Sequence, residues 1–305
     1  MRPYPLIKVD PVVVTDAMIV SYDVPETDYA EYVAGTTYGK GDRVKVTSTH
    51  TIYESVQAAN VGHDPLTDTA ATWWLRVSKT NRWKCLDGSP STQTVKAGSM
   101  SLRLRPGQLV NSVFVLNAVA DTVRIREIDP SAGTVYDKTT NMRGRLPSNG
   151  WFDWHFARRI RKTDVLAMDL PNYYRADIQI DLAAASGNVA AGVIVMGYQQ
   201  AIGRGVKLNP RLGITDYSQK STNKYGDTTL VEGVFSKRAE YVMVAPNSQI
   251  DDVFAILAAG RAKPAIYVGS SLYTCSVVWG WPDDFDILIP NNTESDCSLS
   301  LKGLT

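Results

Sequence analysis

Three histidines, three cysteines and a few close-set carboxylates are the side chains with which this chain could do metal or covalent chemistry. A metal site needs ligands whose spacing lets them converge. His50, His63 and His155 form no HxH or HxxxH pair, and Cys85, Cys275 and Cys297 form no CxxC. Asp251-Asp252 and Asp283-Asp284 are adjacent carboxylates, and sequence neighbours need not converge in space. No GxSxG elbow, Walker A loop or cysteine-nucleophile signature occurs. Gly203-Arg204-Gly205 is a lone loop pair, too weak to cradle phosphate. The expectation is a protein that is not an enzyme and holds no metal or cofactor. A polysaccharide-degrading enzyme stays as an alternative, because two carboxylates distant in sequence can meet at the separation glycoside hydrolysis requires.

The other side chains with chemical reach are aromatic. The seven tryptophans fall in three clusters, at 73/74/83, 151/154 and 279/281. Around the first, Tyr38 precedes Gly41-Asp42-Val44, a turn feeding a strand. Ile52-Tyr53-Glu54-Ser55 reads as a second strand, Asn60 to Pro65 as an ordered loop, and Trp73-Trp74 closes the unit. So short a segment buries little area, so large aromatics must supply much of its core. Trp73 and Trp74, adjacent in a strand, point to opposite faces, one toward the core and one partly exposed.

The elements that must position these residues are mostly strands. Val123 and Ile125 alternate with Arg124 and Arg126, and Ile178, Ile180 and Leu182 repeat the pattern. Segments 240–244, 265–268, 285–289 and 297–301 read the same way, and Ser186-Gly187-Asn188 reads as a tight turn between two strands. One helix is expected at about 248–260. Ser248 would cap it, Ile250, Val253, Phe254 and Leu257 would share one face, and Gly260 would end it. The fold expected is mainly β: a strand-rich lead-in (1–24), a small aromatic-rich β module (25–84), a β-sandwich (85–205) and a C-terminal α+β module (206–305). Gly88-Ser89-Pro90-Ser91 reads as a linker.

The order G-x-x-Y-x-x-G-D-x-V, Y-x-S, P and W-W in 25–84 resembles the small chitin- and cellulose-binding modules of carbohydrate-active enzymes. The matching positions are Tyr38, Gly41, Asp42, Val44, Tyr53, Pro65, Trp73 and Trp74. The gap between Val44 and Ile52 departs from that pattern, where the family has a tight turn. The resemblance implies a sugar-stacking platform at Tyr38, Tyr53, Trp73 and Trp74. Segments 85–205 and 206–305 resemble modules of tailed-bacteriophage structural proteins, as do Asn81-Arg82-Trp83 before Asp87-Gly88 and the Cys297–Leu304 ending. That implies a virion tail or neck/collar part, made in a host cytoplasm, whose partners are copies of itself and other tail or neck proteins. The alternative is a host-surface glycan-binding protein.

Charge bears on the partners. Lys plus Arg is 32 and Asp plus Glu is 31, a net charge of +1, which disfavours nucleic acid and suits packing against like copies. Trp151, Trp154, Arg158, Arg159 and Arg161 form an aromatic and basic run expected to serve as an inter-subunit interface. No secretory signal or membrane-inserting stretch is expected.

Overall fold

The computed structural model describes residues 4–144, 150–156, 161–207 and 210–304. The chain opens with β1 (Leu6–Pro11) and β2 (Ile19–Tyr22), followed by β3 (Arg43–Val46), β4 (Thr51–Ser55) and β5 (Trp74–Lys79). Then come β6 (Thr94–Leu104), β7 (Ser112–Leu116), β8 (Thr122–Asp129), β9 (Gly133–Asn141), α1 (Trp151–Phe156), β10 (Val165–Ala167), β11 (Asp177–Ala191) and β12 (Val193–Ile202). The last third holds β13 (Gly205–Val206), β14 (Arg211–Asp216), β15 (Gln219–Thr222), β16 (Thr228–Val231), β17 (Phe235–Pro246), α2 (Ile250–Ala259), β18 (Ala265–Val268), β19 (Val277–Leu288) and β20 (Glu294–Gly303). Half the residues are in strands, so the fold is mainly β, as expected.

Strands β10-β7-β12-β1-β18-β19-β20-β17-β13 form one large curled sheet, with β14 also paired to β17. A second sheet runs β2-β6-β11-β8-β9, and β3-β4-β5 make a small meander. Strands from 1–24, 85–205 and 206–305 therefore share the large sheet, because β1 lies between β12 and β18. The expected division at 205/206 falls inside β13. The curl brings distant strands together: Lys237 Nζ on β17 lies 2.9 Å from Asp164 Oδ2, just before β10.

The alternating strands of the second sheet bury Met100, Leu102, Leu104, Val123, Ile125, Ile178, Ile180 and Leu182 against the β10-β7-β12 end of the large sheet. Their other face is a polar lattice. Asp177 accepts from Arg103 and Arg105, and Asp181 from Ser101, Gln179 and Arg126. Strand β7 is apolar without alternation because both of its faces are covered. Val113 and Val115 meet the second sheet, and Phe114 and Leu116 meet the inner face of the curl. At the other end, α2 packs Val253 and Leu257 over Tyr241, Met243, Tyr267 and Leu299. Gly280 is required where β19 meets β20, since a Cβ there would sit 2.0 Å from the Lys302 carbonyl oxygen.

Several local expectations are corrected. Ser248 does not cap α2: it lies in a 3-10 turn, Asn247–Gln249, and the N-cap Gln249 makes no side-chain bond. Phe254 is exposed and meets Phe285 edge-on, while Ile256 joins the buried face in its place. Gly260 ends the helix at φ −79, in the right-handed region. Ser186-Gly187-Asn188 does not turn the chain back. It is a bulge in the continuous β11, between the pairs Ala183–Ser99 and Asn188–Ala97, with Gly187 at φ +84. Segment 88–91 is no free linker: the Gly88 carbonyl accepts from Trp279 Nε1 at 2.8 Å and the Pro90 carbonyl from Asn117 Nδ2 at 2.7 Å.

Candidate functional site

Strands β3, β4 and β5 pair antiparallel, so Val44, Tyr53 and Arg76 share one face in register. The longer connection between β3 and β4 is a four-residue turn, 47–50, with His50 at φ +50. A two-way backbone bridge ties Tyr38 to Asn60, at 2.9 and 3.0 Å. Gly41 N–H donates to the Ser55 carbonyl at 2.8 Å, and Asp42 Oδ2 accepts from Gly39 N–H at 2.6 Å. These bonds explain the G-x-x-Y-x-x-G-D order physically: a tight turn locks the tyrosine segment against β4.

The core this creates is aromatic. Trp74 is 1% exposed and Tyr38 9%, with ring centroids 5.1 Å apart and edge-on, and Tyr32 completes the cluster at 5.7 and 5.9 Å. Trp74 Nε1 donates to the His63 carbonyl at 2.7 Å, and the Tyr38 hydroxyl accepts from Val33 N–H at 2.9 Å. Tyr38 and Trp74 thus have no ring face to offer a ligand. Tyr53 and Trp73 are half-buried and keep some surface. Trp73 lies just before β5, not in the strand as expected, and packs at the edge of the same aromatic cluster, with His63 flat on its indole at 3.8 Å and 10°.

Asp68 holds both tryptophans. One of its oxygens accepts from the N–H groups of Trp73 and Trp74 at 2.6 and 2.8 Å, and the other from Thr72 at 3.1 Å. Burial alone would push this carboxyl up; the three backbone donors, with His63 nearby, outweigh it and hold it below the usual carboxylate value. Buried Asn60 bridges Ser55 Oγ and the Trp73 carbonyl. Motif spacing singles out the aromatics but not Asp68 or Asn60, whose roles depend on where the loop folds back.

The module is bolted to the body at a junction centred on His50. Its Nε2 lies 2.9 Å from Asp16 Oδ2, its Nδ1 3.1 Å from Glu26 Oε1, and its ring stacks on Trp83 at 4.0 Å and 6°. Arg82 donates to the Tyr22 and Val24 carbonyls and lies over the Tyr22 ring, while Asn81 bonds both backbone groups of Val95. The partners of His50 are 34 and 24 residues away, so no sequence motif announces them. Among the described residues, no cluster of three or more His, Cys, Asp or Glu is placed to hold a metal ion.

Of the expected interface run, the described residues Trp151 and Arg161 are exposed. On α1, Trp151, Phe152 and Phe156 are 74%, 62% and 68% exposed, and the rings of Phe152 and Phe156 meet at 4.8 Å, tilted by 38°. The side chain of Trp154 and all of Arg158 and Arg159 lie outside the described residues. In the body, Glu127 is fully buried, and burial pushes it up to about 7, with Asp129 adding to the rise and the Tyr173 backbone N–H opposing it.

No protein family matches this chain, and no curated protein matches it. Among solved structures, it is similar to a selenomethionine-labelled V110M mutant of chitosan-binding module 1, derived from a chitosanase/glucanase of Paenibacillus sp. IK-5. The identity is 15%, the match covers 38% of this chain and 83% of that one, and the TM-score is 0.23. The likeness is weak and partial, to a carbohydrate-binding module, and carries no argument about function.

Proposed function

We propose that this chain is a non-enzymatic structural component of a bacteriophage particle, a tail or neck part that packs against copies of itself and other particle proteins. The observation that carries this reading is α1, where Trp151, Phe152 and Phe156 stand in solvent close in sequence to a basic run. Contiguous exposed aromatics mark interaction surfaces, and aromatics with arginine dominate interface centres. The class of particle comes from the resemblance of 85–305 to phage structural modules. The test is mass spectrometry of gradient-purified particles from an infected culture. Recovery of this chain at a fixed copy number supports the proposal; its absence from intact, infectious particles overturns it.

A second reading, carbohydrate binding by the module 25–84, is favoured by Tyr53 and Trp73, whose remaining ring surface rests on a rigid aromatic core. A sugar's apolar C–H face packs against such a ring, and pre-ordered side chains lose little entropy on binding. The test is retention on insoluble chitin, cellulose and host surface polysaccharide. Loss of binding in Trp73→Ala and Tyr53→Ala, with the fold intact, supports the reading; failure of the unaltered protein to bind any of the three removes it.

A further inference from the structure

We infer that the ribbon 211–235 is an assembly arm that docks on a second copy of this chain by pairing β14 edge to edge. This deepens the reading of the chain as an assembly subunit and rests on it.

The ribbon leaves the large sheet through β14 and returns through β17, with β15 and β16 paired at its tip. Every residue from 221 to 235 is exposed. A two-stranded ribbon without a core is marginal in water. This one is held by short-range bonds: Asn223 Oδ1 accepts from Tyr225 and Asp227 N–H, Asp216 Oδ1 from Ser218 N–H, and Tyr217 N–H donates to the Val234 carbonyl. Its composition does not suit permanent exposure. Ile214 is 62% and Phe235 56% exposed, and Leu212 is exposed beside them.

The register shows why these residues belong under a cover. Leu212 pairs with Ala239, Ile214 with Lys237 and Asp216 with Phe235, so Leu212, Ile214 and Phe235 lie, together with Asp216 and Lys237, on the face that carries Ala239 and Tyr241. Farther along β17, that face is buried beneath α2. Past the helix and the Lys237–Asp164 pair, the same face carries Leu212, Ile214 and Phe235 in solvent. Among the described residues, β14 pairs with β17 alone, which leaves its outer edge open to them. An open apolar edge left uncovered is an aggregation template.

Two features specify a like copy as the occupant. The ribbon carries Arg211, Lys220 and Lys224 against Asp216, Asp227 and Glu232, a net charge of zero, in a chain of net charge +1. It has no bias toward a polyanion or a strongly basic partner. The sequence of β14 is also self-complementary. In an antiparallel pair of two β14 strands related by a two-fold through Gly213, Leu212 of each copy stands opposite Ile214 of the other. That isologous register sets Leu212 and Ile214 of both copies side by side on one face. Gly213 at the axis lets the backbones approach, and a Cβ there would meet nothing closer than Arg238 Nη2 at 3.9 Å.

The experiment uses the full chain. Sedimentation should give a dimer, or a larger even-numbered assembly, for the unaltered protein. Ile214→Asp with Phe235→Asp should halve the mass while leaving the circular dichroism unchanged. In a Cys275→Ser background, which removes the exposed thiol, Gly213→Cys should give a disulfide-linked dimer under mild oxidant. An unaltered protein that stays monomeric at its highest soluble concentration, a double variant whose mass does not fall, or a Gly213→Cys chain that stays uncross-linked overturns the arm. Absence from purified particles with dimer and cross-link intact would instead remove the proposed function alone.

Discussion

The module 25–84 and the ribbon 211–235 are both short β segments rich in large apolar side chains, yet they treat them in opposite ways. The module turns Tyr32, Tyr38 and Trp74 inward around one another and bonds itself to the body through His50, Arg82 and Asn81. The ribbon keeps Ile214, Leu230, Val234 and Phe235 in solvent. The difference comes from strand count and closure. Three strands with a folded-over loop enclose a small volume, whereas two strands enclose none. Aromatic content therefore does not distinguish a core from an interface; what separates them is whether a third layer of the same chain arrives.

The sharpest way to break this contrast is Trp74→Ala. Removing a fully buried indole should cost about 3–5 kcal/mol and unfold the module, read as loss of its share of the near-ultraviolet dichroism. Asp68→Ala should follow, at about 1.5–3 kcal/mol, because three backbone N–H groups lose a charged acceptor. Since the Asp68 carboxyl is held below 3.8 in the fold, its contribution is present above that pH and lost as pH falls through the folded value. An acid titration of Asp68→Asn should be flatter there than that of the unaltered protein.

Glu127 gives the body a dependence of opposite sign. Its folded value is about 7 against 4.5 for the free group, so the fold favours the neutral acid. Its effect is absent below about pH 4.5, grows more destabilising as pH rises toward 7, and levels off beyond. Glu127→Gln should be the more stable chain at pH 8, with equal stability at pH 4. Trp73→Ala should cost about 1 kcal/mol or less, since the side chain is half-buried. The smallest effect belongs to the ribbon: Ile214→Asp should change monomer stability by no more than about 0.5 kcal/mol while changing the assembly state. A large stability loss there would show that the ribbon has a covered core after all and erase the contrast.

Much of the fold is legible in the sequence because strand alternation is local. The strands at 122–129 and 177–182 follow directly from period-two patterns, and 265–268 from a short apolar run. The pairing of distant strands is not legible: β1 joins β12 to β18, some 190 and 260 residues away, through backbone bonds that leave no side-chain signature. Ser186-Gly187-Asn188 misleads for a related reason. Gly in a left-handed conformation serves a hairpin turn and a bulge equally, and the neighbouring strand β6 decides between them. In the aromatic module, the spacing marks Tyr38, Tyr53, Trp73 and Trp74 together. Their division into two core and two half-exposed residues needs the loop carrying His63 and Asp68.

The mainly β character, a helix near 250–259, the aromatic-rich stretch around Tyr38, Tyr53, Trp73 and Trp74 and the near-zero charge are all legible in the chain's local order. Each is a property of composition or of neighbours within a few residues. Only the tertiary structure decided that His50 is clamped between Asp16 and Glu26, that Trp74 is buried and Trp73 half-open, and that one sheet gathers strands from both ends of the chain. Burial and pairing are set by what arrives from far along the chain, and a side chain carries no local record of that arrival.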